Sequence, residues 1–188
     1  MLECWKIKSC SDAERTIRQE RETMKKKAAY FGIFTSLALI LSYIESLLPL
    51  FYGIPGIKPG LANSMTLVML YLSDPPTALM LAVARILLSG LMFGNLFAIL
   101  YSLAGGLFSF LIMFLVKKYA GFSMLGVSMA GGVSHNIAQL VIAMLLIENL
   151  NLLYYLPVLL VSGLLTGTLI GIVSREVIRR LPSDIRRL

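Results

Sequence analysis

Eight polar side chains stand within or beside long apolar runs of this sequence, where a polar group costs free energy unless it is paired, hydrated or functional. They comprise one acid, two cations, one histidine and four amides: Glu45, Lys58, Asn63, Arg85, Asn95, His135, Asn136 and Gln139. Side chains of these types bind small polar or anionic molecules. We therefore interpret all eight as candidate substrate-binding residues.

The two cations in this set, Lys58 and Arg85, suggest an anion site. Arg85 stands midway along the apolar run from Thr77 to Leu91, where an unpaired guanidinium is costly. A structural interpretation gives it an ion pair with Glu45, or a clamp on the carbonyl groups of a broken helix. We favour an anion-binding cavity, because Lys58 lies in a loop that can face the same cavity.

A second polar group surrounds the only histidine of the chain. His135 and Gln139 are four residues apart and share one face of a helix, and Asn136 lies beside that face. Gly131 and Gly132 just before them allow a ligand or a neighbouring backbone to approach closely. Hydrogen bonding between helices and the lining of a ligand pocket are equally consistent with this group. A lone histidine does not make a metal site, and we predict neither metal nor cofactor.

The sequence contains no recognisable catalytic constellation. It lacks the phosphate-binding loop of ATPases, and its three aspartates, Asp12, Asp74 and Asp184, stand apart. No aspartate pair is therefore available for a magnesium–diphosphate site. We predict no catalytic residues and a protein that is not itself an enzyme.

Composition predicts an integral membrane protein. Hydrophobic residues make up 57% of the 188 residues, charged residues only 14%, and the mean hydropathy is +0.81. The net charge of +7 comes from the ends: eight of the seventeen Lys and Arg lie at or before Lys27, and five lie from Arg175 onward. Basic ends around an apolar middle favour contact with anionic lipid and disfavour a nucleic-acid partner.

The apolar runs predict an all-α bundle of six transmembrane helices over residues 28–174. A charged tail (1–27) precedes it, of which 1–23 is either native or an extension from an upstream start, and a basic tail (175–188) follows. Cations at both tails and at Lys117 and Lys118 place both termini in the cytoplasm of a plasma-membrane protein. The predicted spans are Ala28–Leu48, Leu61–Leu72, Thr77–Leu91, Leu96–Val116, Ser123–Ile147 and Leu152–Ser174.

Two further features lie within and directly after the first span. The segment from Gly53 to Asn63 holds two Pro-Gly pairs, which stop a helix, and we expect it to cap a cavity from the outer side. Within the span, Ala28, Gly32 and Ser36 stand four apart. Small residues at this spacing let another helix approach closely, either inside this protein or on a partner subunit.

Four segments together resemble one known family. They are Tyr43-Ile44-Glu45, the loop from Pro55 to Asn63, the stretch from Arg85 to Gly90 with Phe93-Gly94-Asn95, and the stretch from Gly131 to Gln139. This pattern resembles the Gx transporter family, also described as heptaprenyl diphosphate synthase component I. It is similar to the substrate-binding S components of energy-coupling-factor transporters.

The resemblance implies a six-helix subunit that binds a vitamin-like or other small metabolite beneath the first outer loop. It further implies docking, through small residues of the first helix, on a transmembrane coupling subunit driven by two ATPases. Ala28, Gly32 and Ser36 match that docking surface. The family's second description implies an alternative role, a membrane accessory component in heptaprenyl diphosphate synthesis.

Overall fold

The protein is helical throughout the part of the chain that its computed structural model describes, with no strand there. The model describes the backbone of residues 2–47 and 60–182, and the side chains of 15–47 (except position 20) and 60–182. The α-helices are α1 (Leu2–Leu47), α2 (Leu61–Leu72), α3 (Pro75–Phe93), α4 (Leu96–Leu115), α5 (Met124–Ile147) and α6 (Leu156–Arg180). A π-helical segment (Val116–Ala120) continues α4, and a 3₁₀ segment (Leu150–Tyr155) precedes α6.

Two compact units divide the chain, residues 1–33 and residues 34–188. The first unit is a single stretch of helix, so the charged segment predicted as a tail is helical from Leu2 onward. The second unit holds the rest of α1 and all other elements. The functional site described below lies within this second unit.

The helix boundaries follow the breaks that the sequence predicts. Pro75 and Pro76 occupy the first positions of α3. A backbone N–H there has no partner inside the helix, so the missing N–H of proline does no harm. The Asn95 side chain accepts from the Ala98 amide at 2.8 Å and begins α4. Residues 61–91 therefore form two helices, α2 and α3, and not one long span. This agrees with the predicted division into six helices.

Within the described residues, five helices are long and apolar enough to cross a membrane, and α2 is a shorter apolar helix. With 12 residues, α2 extends about 18 Å, against about 30 Å of hydrocarbon. The protein is therefore a multi-pass membrane protein with five full-length helices and one that covers about half the bilayer.

The short helix α2 forms the centre of the core. Nine of its twelve residues are buried, and it packs against α3 and α6. The Ser174 hydroxyl of α6 donates to the Ser64 carbonyl at 3.2 Å. Toward the C-terminus of α2, the Lys117 ammonium donates to the Leu70 carbonyl at 2.6 Å and lies 4.5 Å from the centre of the Tyr71 ring.

Close backbone approach joins α5 to its neighbours. A Cβ at Gly167 of α6 would lie 2.8 Å from the Ser128 carbonyl oxygen and the Met129 Cα. The Ser128 hydroxyl donates to the Gly167 carbonyl at 2.6 Å. The glycine stripe of α6 (Gly163, Gly167, Gly171) therefore serves packing between helices.

The contact of Lys117 with α2 leads to a stability prediction. Lys117→Met keeps most of the apolar stem but removes the ammonium, so the Leu70 carbonyl loses its charged donor. A charged hydrogen bond contributes about 1.5–3 kcal/mol, and we expect a lower midpoint of thermal unfolding in detergent. Lys118→Met is the matched control, because Lys118 is exposed; equal effects of the two substitutions would contradict this role of Lys117.

Candidate ligand-binding site

Three polar side chains from three helices meet at the N-terminus of α2. The Glu45 carboxylate of α1 accepts a hydrogen bond from the Leu61 amide. The Arg85 guanidinium of α3 donates through Nη2 to the Asn63 side-chain oxygen at 2.6 Å. We call Glu45, Asn63 and Arg85 the polar cluster.

The conformation of Gly60 leads the backbone into this helix end. Gly60 precedes α2 with φ 70° and ψ 22°, a left-handed conformation that glycine adopts without steric cost. Its carbonyl accepts from the Asn63 amide at 2.8 Å. The first amides of a helix lack partners inside the helix and carry a partial positive charge. Glu45 supplies an acceptor of the matching sign.

The polar cluster lies far from the turn that joins α2 and α3. Asn63 is ten residues before Ser73 and Arg85 is eleven residues after Asp74, so each lies about 15–17 Å from that turn at 1.5 Å per residue. The equal separations explain why the two side chains meet. In a hydrocarbon layer of about 30 Å this is about half the depth.

Arg85 has donor capacity that the described residues do not use. Its exposure is only 8%, and its Nε is buried without a hydrogen-bond partner among those residues. Glu45 is the charged group that acts electrostatically on it. The charge of Glu45 therefore acts on Arg85 within the polar cluster, and an ion pair between them stays a prediction. The structure also leaves a buried donor, whose isolation costs about 1–3 kcal/mol, for an acceptor from elsewhere.

The second polar group divides between two neighbouring helices. Asn136 turns toward α6, where its side-chain nitrogen donates to the Leu159 carbonyl at 2.8 Å and the Ser162 hydroxyl at 3.1 Å. It therefore joins the two helices. His135 and Gln139 share the other face, as their spacing predicts: a Cβ at Gly105 of α4 would lie 2.8 Å from Gln139 Cγ and 3.0 Å from His135 Cε1.

The remaining predicted residues that the structure describes are exposed. Asn95 is exposed and begins α4, and Lys58 falls outside the described residues. Ala28, Gly32 and Ser36 are all exposed on α1, and the space beside Gly32 is open for at least 4 Å around a Cβ. Of the predicted residues that the structure describes, Glu45, Asn63 and Arg85 meet at the start of α2, and His135 and Gln139 meet beside Gly105. Ligand binding by any of them stays a prediction.

One family model, described as heptaprenyl diphosphate synthase component I, matches residues 34–177. The chain belongs to this family. Among curated proteins, the comparison finds no match. In this member of the heptaprenyl diphosphate synthase component I family, the matched region contains the polar cluster and the second polar group, His135, Asn136 and Gln139. It begins after Ala28 and Gly32.

One residue that holds α2 in place has no distinguishing signal in the sequence. Lys117 appeared only as part of a basic pair at the end of a span, yet its ammonium reaches back to α2. Its partner, the Leu70 carbonyl, lies 47 residues earlier. A lysine flanking a span is ordinary in membrane proteins, so no local signal separates Lys117 from Lys118.

The charge balance of the polar cluster generates a testable coupling. Glu45→Gln removes the acid that acts electrostatically on the buried Arg85 guanidinium, so we expect a lower free energy of unfolding. The double variant Glu45→Gln/Arg85→Gln removes both charges, so we expect it to be less destabilised than the sum of the single variants. Equilibrium unfolding of the four proteins in detergent measures the coupling, with about 0.5–3 kcal/mol expected for contacting residues.

Glu176→Gln is the control for this cycle. Glu176 pairs with Arg179 and Arg180 at 3.2 and 2.7 Å on an exposed surface, where ion pairs contribute little. Its substitution should leave stability almost unchanged. Strictly additive effects at Glu45 and Arg85 would show that the two charges do not interact.

Proposed function

We propose that this chain is the substrate-binding membrane subunit of an importer, similar to the S component of an energy-coupling-factor transporter. The observation that supports it best is the Arg85 guanidinium, which is buried about halfway along a membrane helix with Nε lacking a partner among the described residues. It meets the N-terminus of α2 through Asn63. Transporters bind anionic substrate groups at the N-termini of such interrupted helices.

The chemistry of the polar cluster defines the class of ligand. A guanidinium donates in a planar fork that matches carboxylate or phosphate oxygens, and the start of α2 adds a partial positive charge. Glu45 already balances the charge of Arg85, which disfavours a highly charged ligand. We propose a small metabolite with a carboxylate, phosphate or comparable acceptor, for which Lys58 is a second cation.

Energy and orientation come from the wider assembly in this proposal. Since the sequence lacks an ATPase loop, a coupling subunit and ATPases would drive transport. The exposed small residues Ala28, Gly32 and Ser36 of α1 offer a close-approach surface for that subunit. The basic ends support a plasma-membrane protein with both termini in the cytoplasm.

The family description favours a second candidate, a membrane accessory component of heptaprenyl diphosphate synthesis. In that role a partner would carry the catalytic aspartates. The chain would hold a substrate or the partner at the membrane. A diphosphate also accepts hydrogen bonds from arginine, but the charge balance between Glu45 and Arg85 favours a less charged ligand, so the polar cluster supports this role less well than the importer.

Small molecules that co-purify with the protein test the proposed site. Mass spectrometry of extracts should detect an anionic metabolite with the wild type, and at least about tenfold less with Arg85→Gln, because a lost charged hydrogen bond is worth that factor. Lys58→Ala should also reduce it, whereas Lys118→Ala, the control, should not. Full retention by folded Arg85→Gln and Lys58→Ala proteins would refute the anion site.

Partners recovered from mild membrane extracts distinguish the two functions. ATPases with a transmembrane subunit support the importer, and a soluble synthase rich in aspartate supports the accessory role. For the importer, Gly32→Leu should abolish recovery of the coupling subunit, because a leucine there keeps a partner helix at a distance. Ile33→Phe is the control, because Ile33 is exposed and lies about 100° around α1 from Gly32; equal recovery with both variants would exclude the Gly32 surface.

A further inference from the structure

An apolar cavity lies at one end of the second unit, and it is lined by other helices than those of the polar cluster. It has a volume of about 450 Å³ and lies between the start of α4, the end of α5, the 3₁₀ segment and the start of α6. The side chains that matter here are Phe97 and Tyr101 of α4, Leu140 and Ala143 of α5, and Leu152 and Tyr155 of the 3₁₀ segment.

The lining of this cavity favours an apolar occupant. None of its lining residues is charged, and the polar side-chain groups are the hydroxyls of Tyr101 and Tyr155. The 3₁₀ segment covers one end through Leu152 and Tyr155. Ile147 ends α5 and Leu140 lies seven residues earlier, so the cavity reaches about 10 Å from the helix ends.

The cavity is lined by both buried and exposed apolar residues, and we expect its exposed side to face lipid. Its inner wall is buried, with Leu140 and Leu159 exposed by only 5% and 6%. Its rim residues Phe97 and Ile147 are exposed by 66% and 62%. Large apolar residues exposed on membrane-spanning helices contact hydrocarbon, and tyrosines such as Tyr155 are enriched where hydrocarbon meets water.

We propose that this cavity binds one acyl chain of a bilayer phospholipid, with the headgroup at the level of the 3₁₀ segment. At about 30 Å³ per water-sized group, 450 Å³ holds on the order of 15 non-hydrogen atoms. That is close to the size of a single acyl chain and well short of a whole heptaprenyl chain. The occupant leaves hydrocarbon for protein, so the driving force is the dispersion contact that an empty cavity lacks.

Photo-crosslinking in vesicles tests the proposal on the full chain. The vesicles contain phosphatidylcholine and phosphatidylglycerol with a small fraction carrying a diazirine in one acyl chain, and adducts are located by peptide mass spectrometry. We expect adducts on the buried Leu140 and Leu159 as well as on Leu145, which is 68% exposed and does not line the cavity. Adducts at exposed positions alone would overturn the site.

Filling the cavity supplies the matched comparison. Ala143→Phe should lower labelling at Leu140 and Leu159 by about tenfold, the factor that some ten lost carbon–carbon contacts supply, and leave Leu145 unchanged. Ala130→Phe on the same helix is the control, since Ala130 lines a separate apolar depression beside Phe108 and Leu164. Unchanged labelling at Leu140 in a folded Ala143→Phe protein would overturn the proposal.

Two further measurements keep the test decisive. If Ala143→Phe does not fold, Leu152→Trp narrows the same cavity from the 3₁₀ segment and should lower labelling in the same way. Comparison of the compounds extracted from the wild type and from Ala143→Phe or Leu152→Trp identifies the occupant: loss of phospholipid supports the proposal, and loss of a prenyl compound or a polar metabolite instead refutes it. Neither result depends on Arg85, so the polar cluster is tested separately.

Discussion

The end groups of α2 impose the constraint on which the rest of the second unit depends. A helix that covers about half the bilayer leaves unpaired amides and carbonyls at membrane depth, where each costs several kcal/mol without a partner. Glu45 supplies an acid at the N-terminus and Lys117 a cation toward the C-terminus. Both charges have the sign that opposes the helix dipole, so α1 and the π-helical extension of α4 each supply one charged partner to α2.

The polar cluster follows from this constraint. The half-buried Glu45 carboxylate accepts from the Leu61 amide and favours a nearby cation. Glu45 and Arg85 interact electrostatically while Arg85 holds Asn63. The structural and functional interpretations of Arg85 are therefore compatible. A guanidinium whose charge is already balanced can present its remaining donor to a ligand without the full cost of an isolated buried cation.

Much of the fold was predictable because its signals are local. Pro75 and Pro76, Gly94 with Asn95, and Glu148 with Asn149 end or begin helices where the sequence indicates. The partners of polar groups were less predictable, because they depend on packing between distant segments. Spacing puts His135 and Gln139 on one face, but only the structure shows that this face meets Gly105.

Glycine pairs illustrate the same limit at Gly131 and Gly132. The sequence allowed either a ligand or a backbone beside them, and the structure places the Gly163 carbonyl against Gly132 and the Met113 side chain against Gly131. Close helix packing thus uses the space that a ligand would need there. Asn136 spends its amide on α6 in the same interface. The two proposed binding sites, the polar cluster and the apolar cavity beside the 3₁₀ segment, do not include these glycines.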